Sequence, residues 1–473
     1  MMHNLIASPP DRFAPNWQAA LSASARSHAT FIAVALIGFF LFFTEANFRT
    51  VAPDGGGGLD LQTLARLLLC GCCGLYGLAY LPLTQRYLLA PPGLWLALLG
   101  GWMVAIIPFA FNPVYSAASV MATCCVFLFA PAALLHANRT AILSASAIGV
   151  LAYVVGSWFV YYCVPSLGRD PYEASAMGGE MRLGGLNQPN GTGRQAALLV
   201  VLLVCLIYSG ALRWRYGIWP LAFALFTIDQ TGSRTSLLTA ALVIAIATWR
   251  RVGARGKAAI AAVGGLGLCV FLAGIGAGVI AIDAEETLSA ASRDGDPSEV
   301  TSLAGRTDLW WFAIKKIGEK PLTGYGHACS RGIICADHFW PTFHAHNLFL
   351  DVMMGSGVPG GLLLAAAALS LAWFAWRRPN LPPDLLVTAA VVVGLADLSM
   401  FHPIPNGYTL MFAMAVFWRA VPASPLPSLD ERCEEGRLEP NLSPRGFAAG
   451  ADSQPQHPAC ASIPTSKEQP LCQ

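Results

Sequence analysis

The chain has 473 residues, of which 55% are hydrophobic and only 12% are charged, and its formal net charge is +2. A soluble protein carries roughly 25% charged residues, so this composition excludes an ordinary soluble domain and indicates that lipid surrounds most of the chain. A net charge so close to zero gives no reason to expect nucleic acid as a partner.

The first 28 residues are polar, and the apolar run after them is not followed by a small-residue cleavage site. A secretory signal peptide would end in such a site. We therefore expect residues 1–28 to be a cytoplasmic segment and the first apolar run to be retained as a membrane span.

Long apolar runs recur along the chain, and a helix needs about 20 mainly apolar residues to cross a bilayer. They predict an all-α polytopic membrane protein with about twelve transmembrane helices. The predicted spans cover residues 29–45, 60–82, 93–112, 116–135, 141–164, 195–211, 216–231, 234–249, 258–282, 346–376, 384–402 and 405–421.

The basic residues of the short loops alternate with this pattern. If the N terminus is cytoplasmic, every predicted inner loop has at least one basic residue, whereas the short outer loops at 113–115 and 403–404 have none. Cytoplasmic loops are enriched in Lys and Arg. One miscounted span would destroy the alternation, so we predict twelve spans with both termini inside.

The predicted domains follow from these spans. Helices one to nine occupy residues 29–282, and helices ten to twelve occupy residues 346–421. Residues 422–473 are rich in Pro, Ser, Glu and Gln, which predicts a disordered cytoplasmic tail.

Two outer segments are long enough to carry function. Residues 165–194 are rich in Gly, Asn and Pro, and residues 283–345 form a large outer subdomain. Within the second segment, apolar residues recur at helical spacing from Thr307 to Ile317. This pattern predicts an amphipathic helix on the membrane surface.

The notable polar side chains collect on the predicted outer side. Pumps and transporters usually need ionisable groups near the membrane midplane, so this distribution instead indicates chemistry at the outer interface on a lipid-anchored substrate. The residues are Arg182, Asn187, Asn190, Arg194, Asp229, Ser233, Arg234, Arg306, His344, His346, Asn347 and Asp397.

Two of these arginines are predicted at helix starts. Arg234 follows Gly232-Ser233, and Arg306 follows Gly305. The planar guanidinium binds two phosphate oxygens at once, and a helix N terminus adds N–H donors and a positive dipole. The pair therefore predicts a pyrophosphate clamp. The alternative is that each arginine anchors its helix at the interface.

Two histidines and an asparagine end the outer subdomain. We expect His346 to begin the helix of the apolar run at residues 346–376. The positive dipole at that helix start disfavours an imidazolium, and a neutral imidazole suits a general base near pH 7. Asn347 is expected to orient the ring or a substrate hydroxyl, and His344 is expected to be secondary. The alternative is a capping or interfacial histidine.

Cys329 and Cys335 lie in the same subdomain. A disulfide between them is the first interpretation for an oxidising compartment. Zinc held with His327 and His338 is an alternative, although the spacing fits no standard finger. We predict neither a metal nor a cofactor for the activity.

Several short motifs occur in a fixed order between residues 182 and 361. They are the loop from Arg182 to Gly193, Gly232-Ser233-Arg234-Thr235, Gly305-Arg306 with Trp310, Pro321-Leu322-Thr323-Gly324-Tyr325-Gly326, and His346-Asn347. After Asn347 come nine residues, then Gly357, two more residues and Gly360-Gly361. In their order and positions these motifs resemble the O-antigen ligase and O-antigen polymerase superfamily of bacterial membrane glycosyltransferases, and the spacing from His346 to the glycines is similar to the ligase-type signature.

The resemblance implies a helical membrane bundle of GT-C-like type in the bacterial inner membrane, with its active site facing the periplasm. It implies a donor glycan on undecaprenyl pyrophosphate, a lipid A–core or other glycan acceptor, and metal-independent, inverting transfer. His346 resembles the base, Arg234 and Arg306 resemble the pyrophosphate ligands, and Arg182 and Asn190 resemble weaker donor contacts.

The choice within the family stays open. Gly360-Gly361 lacks the hydroxyl residues often found after the last glycine of ligases, and the Cys329–Cys335 segment resembles an insertion. An O-antigen or exopolysaccharide polymerase is the alternative. A polysaccharide-lipid transporter is the alternative from a different class, and it would predict midplane charges and internal repeats.

Overall fold

The computed structural model describes residues 23–47, 61–169, 182–259, 262, 269, 306–338, 342, 344–377, 379–396, 404–418 and 420–421. Within this part of the chain all regular secondary structure is helical, as predicted. The helices are α1 (Ala23–Phe43), α2 (Leu61–Ala79), α3 (Leu81–Leu88), α4 (Gly93–Ala105), α5 (Pro113–His136), α6 (Arg139–Cys163), α7 (Pro165–Gly168), α8 (Pro189–Tyr208), α9 (Trp214–Thr231), α10 (Arg234–Arg251), α11 (Arg306–Glu319), α12 (Ser330–Asp337), α13 (Leu348–Arg377), α14 (Leu381–Ala396) and α15 (Gly407–Phe417), with a 3-10 turn at Ile107–Phe109 after α4.

In the described part of the chain, five helices are long and apolar enough to cross a membrane, namely α2, α5, α6, α8 and α13. The pair α3 and α4 adds a sixth if the two helices, bent by 101°, count as one span. These helices fit a multi-pass membrane protein. They do not confirm the predicted number of twelve, and the ninth predicted span, 258–282, lies almost entirely outside the described residues, as do the predicted tail and residues 283–305.

The centre of the bundle is formed by α8 and α15. Most side chains of α8 are buried, and it packs against α6, α9, α10 and α14. Every residue of α15 from Gly407 to Phe417 is buried between α5 and α14. A helix that is apolar and buried all round belongs to the core of a large bundle.

Side-chain contacts show that α8 and α10 run parallel. Gly193, near the start of α8, lies so close to Ser233 that an added Cβ would be 2.7 Å from the Ser233 Cβ. At the other ends, the Tyr208 hydroxyl lies 3.4 Å from the Thr248 hydroxyl.

Helix α14 runs antiparallel to α10, because Arg250 near the end of α10 pairs with Asp384 near the start of α14. The end of α14 meets the start of α13, where Asn347 Nδ2 lies 3.5 Å from the Leu395 carbonyl. The starts of α8, α10 and α13 and the end of α14 therefore lie at one end of the bundle, which we call the site end.

Helix α13 is broken at Ser356 (φ −130°, ψ 15°) and Gly357 (φ 69°, ψ −179°). A break leaves backbone N–H and C=O groups without their helical partners, and burial of such groups is costly unless others bond to them. The loop 321–326, between α11 and α12, fills this role. We call loop 321–326 together with residues 354–358 the interlock.

Four hydrogen bonds close the interlock. Three join the loop to the broken helix, and the fourth comes from α4. They are Tyr325 N to Met354 O (2.8 Å), Gly326 N to Gly355 O (2.9 Å), Val358 N to Pro321 O (2.7 Å) and Trp102 Nε1 to Ser356 O (2.8 Å).

Two glycines permit this close approach. Gly324 and Gly357 both have positive φ, 61° and 69°. A Cβ at Gly324 would lie 2.5 Å from the Met354 carbonyl oxygen, and a Cβ at Gly357 would overlap the Leu322 carbonyl. The two glycine motifs, distant in sequence, therefore fit against each other.

The predicted helix at Thr307–Ile317 is confirmed as α11. Its buried face, formed by Leu309, Ala313 and Ile317, contributes to a small hydrophobic cluster that includes Met354 of α13. A position on the membrane surface stays a prediction.

The predicted disulfide does not form, because Cys329 and Cys335 are both free thiols. Cys329 is the N-cap of α12, and a rise of 1.5 Å per residue places Cys335 about 9 Å further along, beyond the roughly 7 Å limit for bonded Cα atoms. The alternative zinc site is also missing, since the described residues contain no group of three or more metal-ligating side chains.

We expect Gly324→Ala to destabilise the protein, because it adds about 1–2 kcal/mol of left-handed backbone strain and a clash with the Met354 carbonyl. The measurement is thermal unfolding of the purified chain in detergent. Gly318→Ala is the matched control, since no atom lies within 4 Å of a Cβ there. Equal melting temperatures for the two variants would contradict the interlock.

Candidate functional site

A first group of predicted residues meets at the starts of α8 and α10. Arg182 Nε donates to the Thr231 carbonyl at 2.7 Å, and Arg182 Nη2 donates to Asn190 Oδ1 at 2.8 Å. The turn that follows Thr231 includes Gly232 (φ 58°), where an added Cβ would lie 3.2 Å from Arg182 Nε. Arg182 and Asn190 therefore lie against the turn that precedes Arg234.

Arg234 is the first residue of α10, as predicted, and it is exposed. The first N–H groups of a helix have no partner within that helix, and the dipole favours an anion there. We call Arg182, Asn190 and Arg234 the arginine cluster.

A second group forms before α13. His346 Nε2 lies 3.0 Å from Thr342 Oγ1, and the His344 and His346 rings meet edge to face with centroids 4.3 Å apart. We call these three residues the histidine cluster. Trp310 Nε1 donates to the Ala345 carbonyl at 3.0 Å and so ties the cluster to α11.

Arg306 is the first residue of α11, as predicted, and it is half-buried. It lies four residues, about one turn, before Trp310, which donates to the carbonyl of Ala345, the residue between His344 and His346. Arg306 is therefore one turn away from the residue that bonds the backbone of the histidine cluster, and both clusters lie at the site end of the bundle.

The prediction that His346 begins its helix is wrong. His346 lies two residues before Leu348 with φ 49°. Asn347 is the cap, because its Oδ1 accepts from the backbone N–H groups of Phe349 (3.1 Å) and Leu350 (3.2 Å). The helix dipole acts mainly within the first turn, and His346 lies before that turn. The groups in direct contact with the His346 ring are Thr342 and His344.

Glu45 belongs to the site end and was missed from the sequence. Only 6% of it is exposed, and its carboxylate interacts with the charges of Arg194 and Arg66. Asn187 Nδ2 lies 3.1 Å from the Glu45 carbonyl and 3.4 Å from its Oε2. The sequence did offer one indication of a role for Glu45, because an acid at the end of an apolar run is unusual in a chain with so few charged residues.

The loop 182–188 precedes α8 and is held by hydrogen bonds from several elements. Asn47 N donates to the Leu186 carbonyl at 2.5 Å, so Glu45 and its neighbours form one support of this loop. The other bonds are Leu183 N to Gln230 O (3.0 Å), Gly185 N to Gly168 O (2.9 Å) and Thr192 Oγ1 to Gly184 O.

We expect Glu45→Ala to loosen loop 182–188, because it removes the carboxylate that Asn187 and Arg194 face. Amide hydrogen exchange at Leu183 and Gly185 should become faster. Asp384→Ala is the control, since it removes an equally buried acid at the opposite end. Unchanged exchange in Glu45→Ala, or the same increase in both variants, would contradict this role.

His327 lies beside the interlock and is 3% exposed. Its Nε2 is 3.4 Å from Thr123 Oγ1 of α5, and burial lowers the pKa of His327 to about 4. The ring is therefore neutral at pH 7 and packs in the core rather than exchanging protons.

The depressed pKa of His327 predicts a pH dependence of stability. The unfolded chain takes up this proton near pH 6.5 but the folded chain only near pH 4, so stability should fall as pH decreases between these values, by at most about 1.4 kcal/mol per pH unit. Melting temperatures from pH 7.5 to 4.5 should therefore fall less steeply in His327→Gln. Parallel curves for both proteins would contradict the account.

The opposite end of the bundle has a cavity of about 560 Å³, lined by residues that include Pro92, Arg139 and Asn380. Arg139 Nη2 already donates to the carbonyls of Trp418 (2.6 Å) and Val421 (3.1 Å). None of the predicted site residues lines this cavity.

Residues 219–365 match the protein family described as O-Antigen ligase. The matched segment runs from within α9 into α13 and contains Arg234, Arg306 and His346. No curated protein matches the chain. The family match and the apolar helices together indicate a multi-pass, glycosyltransferase-like membrane enzyme. The segment 219–365 of this chain is thus similar to the O-antigen ligase family.

Proposed function

We propose that this protein moves a glycan from undecaprenyl pyrophosphate to a hydroxyl of a lipid A–core acceptor, as an O-antigen ligase would. One observation carries the proposal. The three residues that the family resemblance selects, Arg234, Arg306 and His346, come from separate elements and lie at the same end of the bundle.

The arginines suit the leaving group. Departure of a glycan from a pyrophosphate leaves negative charge on the phosphate oxygens, and preorganised positive groups stabilise that charge best. Arg234 and Arg306 each begin a helix, so each adds backbone N–H donors to its guanidinium. In this proposal no metal is required, because the guanidinium groups supply the positive charge.

His346 is the proposed general base. The acceptor oxygen attacks the anomeric carbon from the face opposite the pyrophosphate, so the bond to the acceptor forms as the bond to pyrophosphate breaks, and the anomeric configuration inverts. The acceptor proton passes to the imidazole of His346. A positioned base of this kind contributes about 10²- to 10⁴-fold to the rate.

The proposed setting is the bacterial inner membrane, with twelve spans and the site end facing the periplasm. The basic residues of the predicted inner loops support this orientation. At the opposite end, Arg251 lies over the Tyr208 ring and Arg377 over the Trp373 ring, as is typical of cationic and aromatic anchors at a membrane interface.

A polymerase that joins repeat units is the second candidate, because the same residues would serve it and Gly360-Gly361 departs from the ligase ending. A polysaccharide-lipid transporter is less well supported. The arginine and histidine clusters lie at an end of the bundle, whereas a transporter is expected to hold its substrate near the midplane.

The test is complementation of a deletion strain. His346→Ala and Arg306→Ala should abolish attachment of surface glycan, because the first removes the base and the second a pyrophosphate ligand. Arg251→Ala should complement fully, since it removes an arginine from α10 at the opposite end of the bundle. Surface glycan is measured by gel electrophoresis of the lipopolysaccharide.

The glycan profile also separates the candidates. Polymer that accumulates on the carrier while lipid A–linked polymer is lost indicates a ligase, whereas single repeats on lipid A indicate a polymerase. If His346→Ala and Arg306→Ala both show wild-type glycan attachment and chain length, neither the ligase nor the polymerase function is correct.

A further inference from the structure

Thr342 contacts the proposed base directly. It is 7% exposed, and its Oγ1 lies 3.0 Å from His346 Nε2. Its own carbonyl accepts a hydrogen bond from the Cys335 thiol on α12, with 3.8 Å between sulfur and oxygen. The hydroxyl that meets His346 is thus held in place from a helix.

The backbone between Thr342 and His346 is also fixed. Ala345 is fully buried, its carbonyl accepts from Trp310 Nε1 at 3.0 Å, and its N–H lies 3.4 Å from Asp351 Oδ1. Helices α11, α12 and α13 therefore all contribute to holding the His346 ring against Thr342. A catalytic group held in this way keeps its geometry during the reaction.

We propose that Thr342 is a positioning residue whose hydroxyl oxygen accepts a hydrogen bond from His346 Nε2–H and so keeps the basic lone pair on Nδ1. The inference rests on the proposed function. A neutral imidazole carries one N–H, and the partner of one ring nitrogen sets the state of the other.

The proton balance follows from this tautomer. The acceptor O–H bond breaks as its oxygen joins the anomeric carbon, the electron pair of the old bond leaves with the pyrophosphate, and the proton arrives at His346 Nδ1. The Nε2–H then belongs to an imidazolium. Its bond to Thr342 becomes charge-assisted and strengthens as the transition state forms.

The experiment uses the full-length protein in nanodiscs, with an undecaprenyl-pyrophosphate-linked oligosaccharide as donor and lipid A–core as acceptor. Thr342→Val keeps the shape and removes the hydroxyl, whereas Thr342→Ser keeps the hydroxyl. We expect Thr342→Val to lower kcat by about 10- to 100-fold, the usual effect of losing a hydrogen bond to a charged group. The donor KM should stay within about twofold.

Three variants serve as references for Thr342→Val. Thr342→Ser should retain most of the wild-type kcat, and Thr388→Val, which removes a threonine hydroxyl that bonds within α14, should resemble wild type. Because Thr342 acts through His346, Thr342→Val should cause no further loss in a His346→Ala background.

The outcomes separate the two proposals. If the kcat of His346→Ala falls by about 10²- to 10⁴-fold but Thr342→Val keeps the wild-type kcat, the role of Thr342 is wrong and the proposed function stands. If Thr342→Ser loses as much as Thr342→Val, or the losses add in the His346→Ala background, the hydroxyl does not act through His346. If His346→Ala is fully active, the proposed function is wrong, and the role of Thr342 with it.

Discussion

The interlock is the constraint on which the site depends. A helix broken at Gly357 exposes backbone groups that must be bonded within the bundle, and loop 321–326 is the segment that bonds them. Because this loop joins α11 to α12, its fixed position also fixes the two helices that hold Trp310 and Cys335. Those side chains in turn hold the backbone around His346.

The site end combines positive charge with two deeply buried acids, Glu45 just after α1 and Asp351 in the first turn of α13. Arg182, Arg234 and Arg306 come from three different elements, so no one element could present this charge alone. Glu45 interacts with Arg194 and supports the loop that carries Arg182. We interpret this as a division of roles, in which buried charges hold the loop and the more exposed Arg234 is presented to an anionic ligand.

The helices could be predicted from the sequence because apolar runs are local signals. Arg234 and Arg306 were predicted at helix starts, and both are the first residues of their helices. The bend between α3 and α4 and the break in α13 were not predicted. The break in α13 is held by contacts between segments far apart in the chain, such as Trp102 with Ser356.

The site was predictable only where a motif marked it. His346 was placed two residues too close to its helix, because Asn347 rather than the histidine supplies the cap. Glu45 and Thr342 carry no motif, and their roles come from long-range or loop contacts. The Cys329–Cys335 bond was predicted from spacing alone, and the helix between them prevents it.

The most direct test of the account is a structure of the protein in a nanodisc with a non-transferable undecaprenyl pyrophosphate glycan analogue. We predict that the two phosphates lie at the site end, within hydrogen-bond distance of Arg234 and Arg306, with the anomeric carbon facing His346. Phosphates bound at the opposite end, in the cavity beside Arg139, would contradict the assignment of the site.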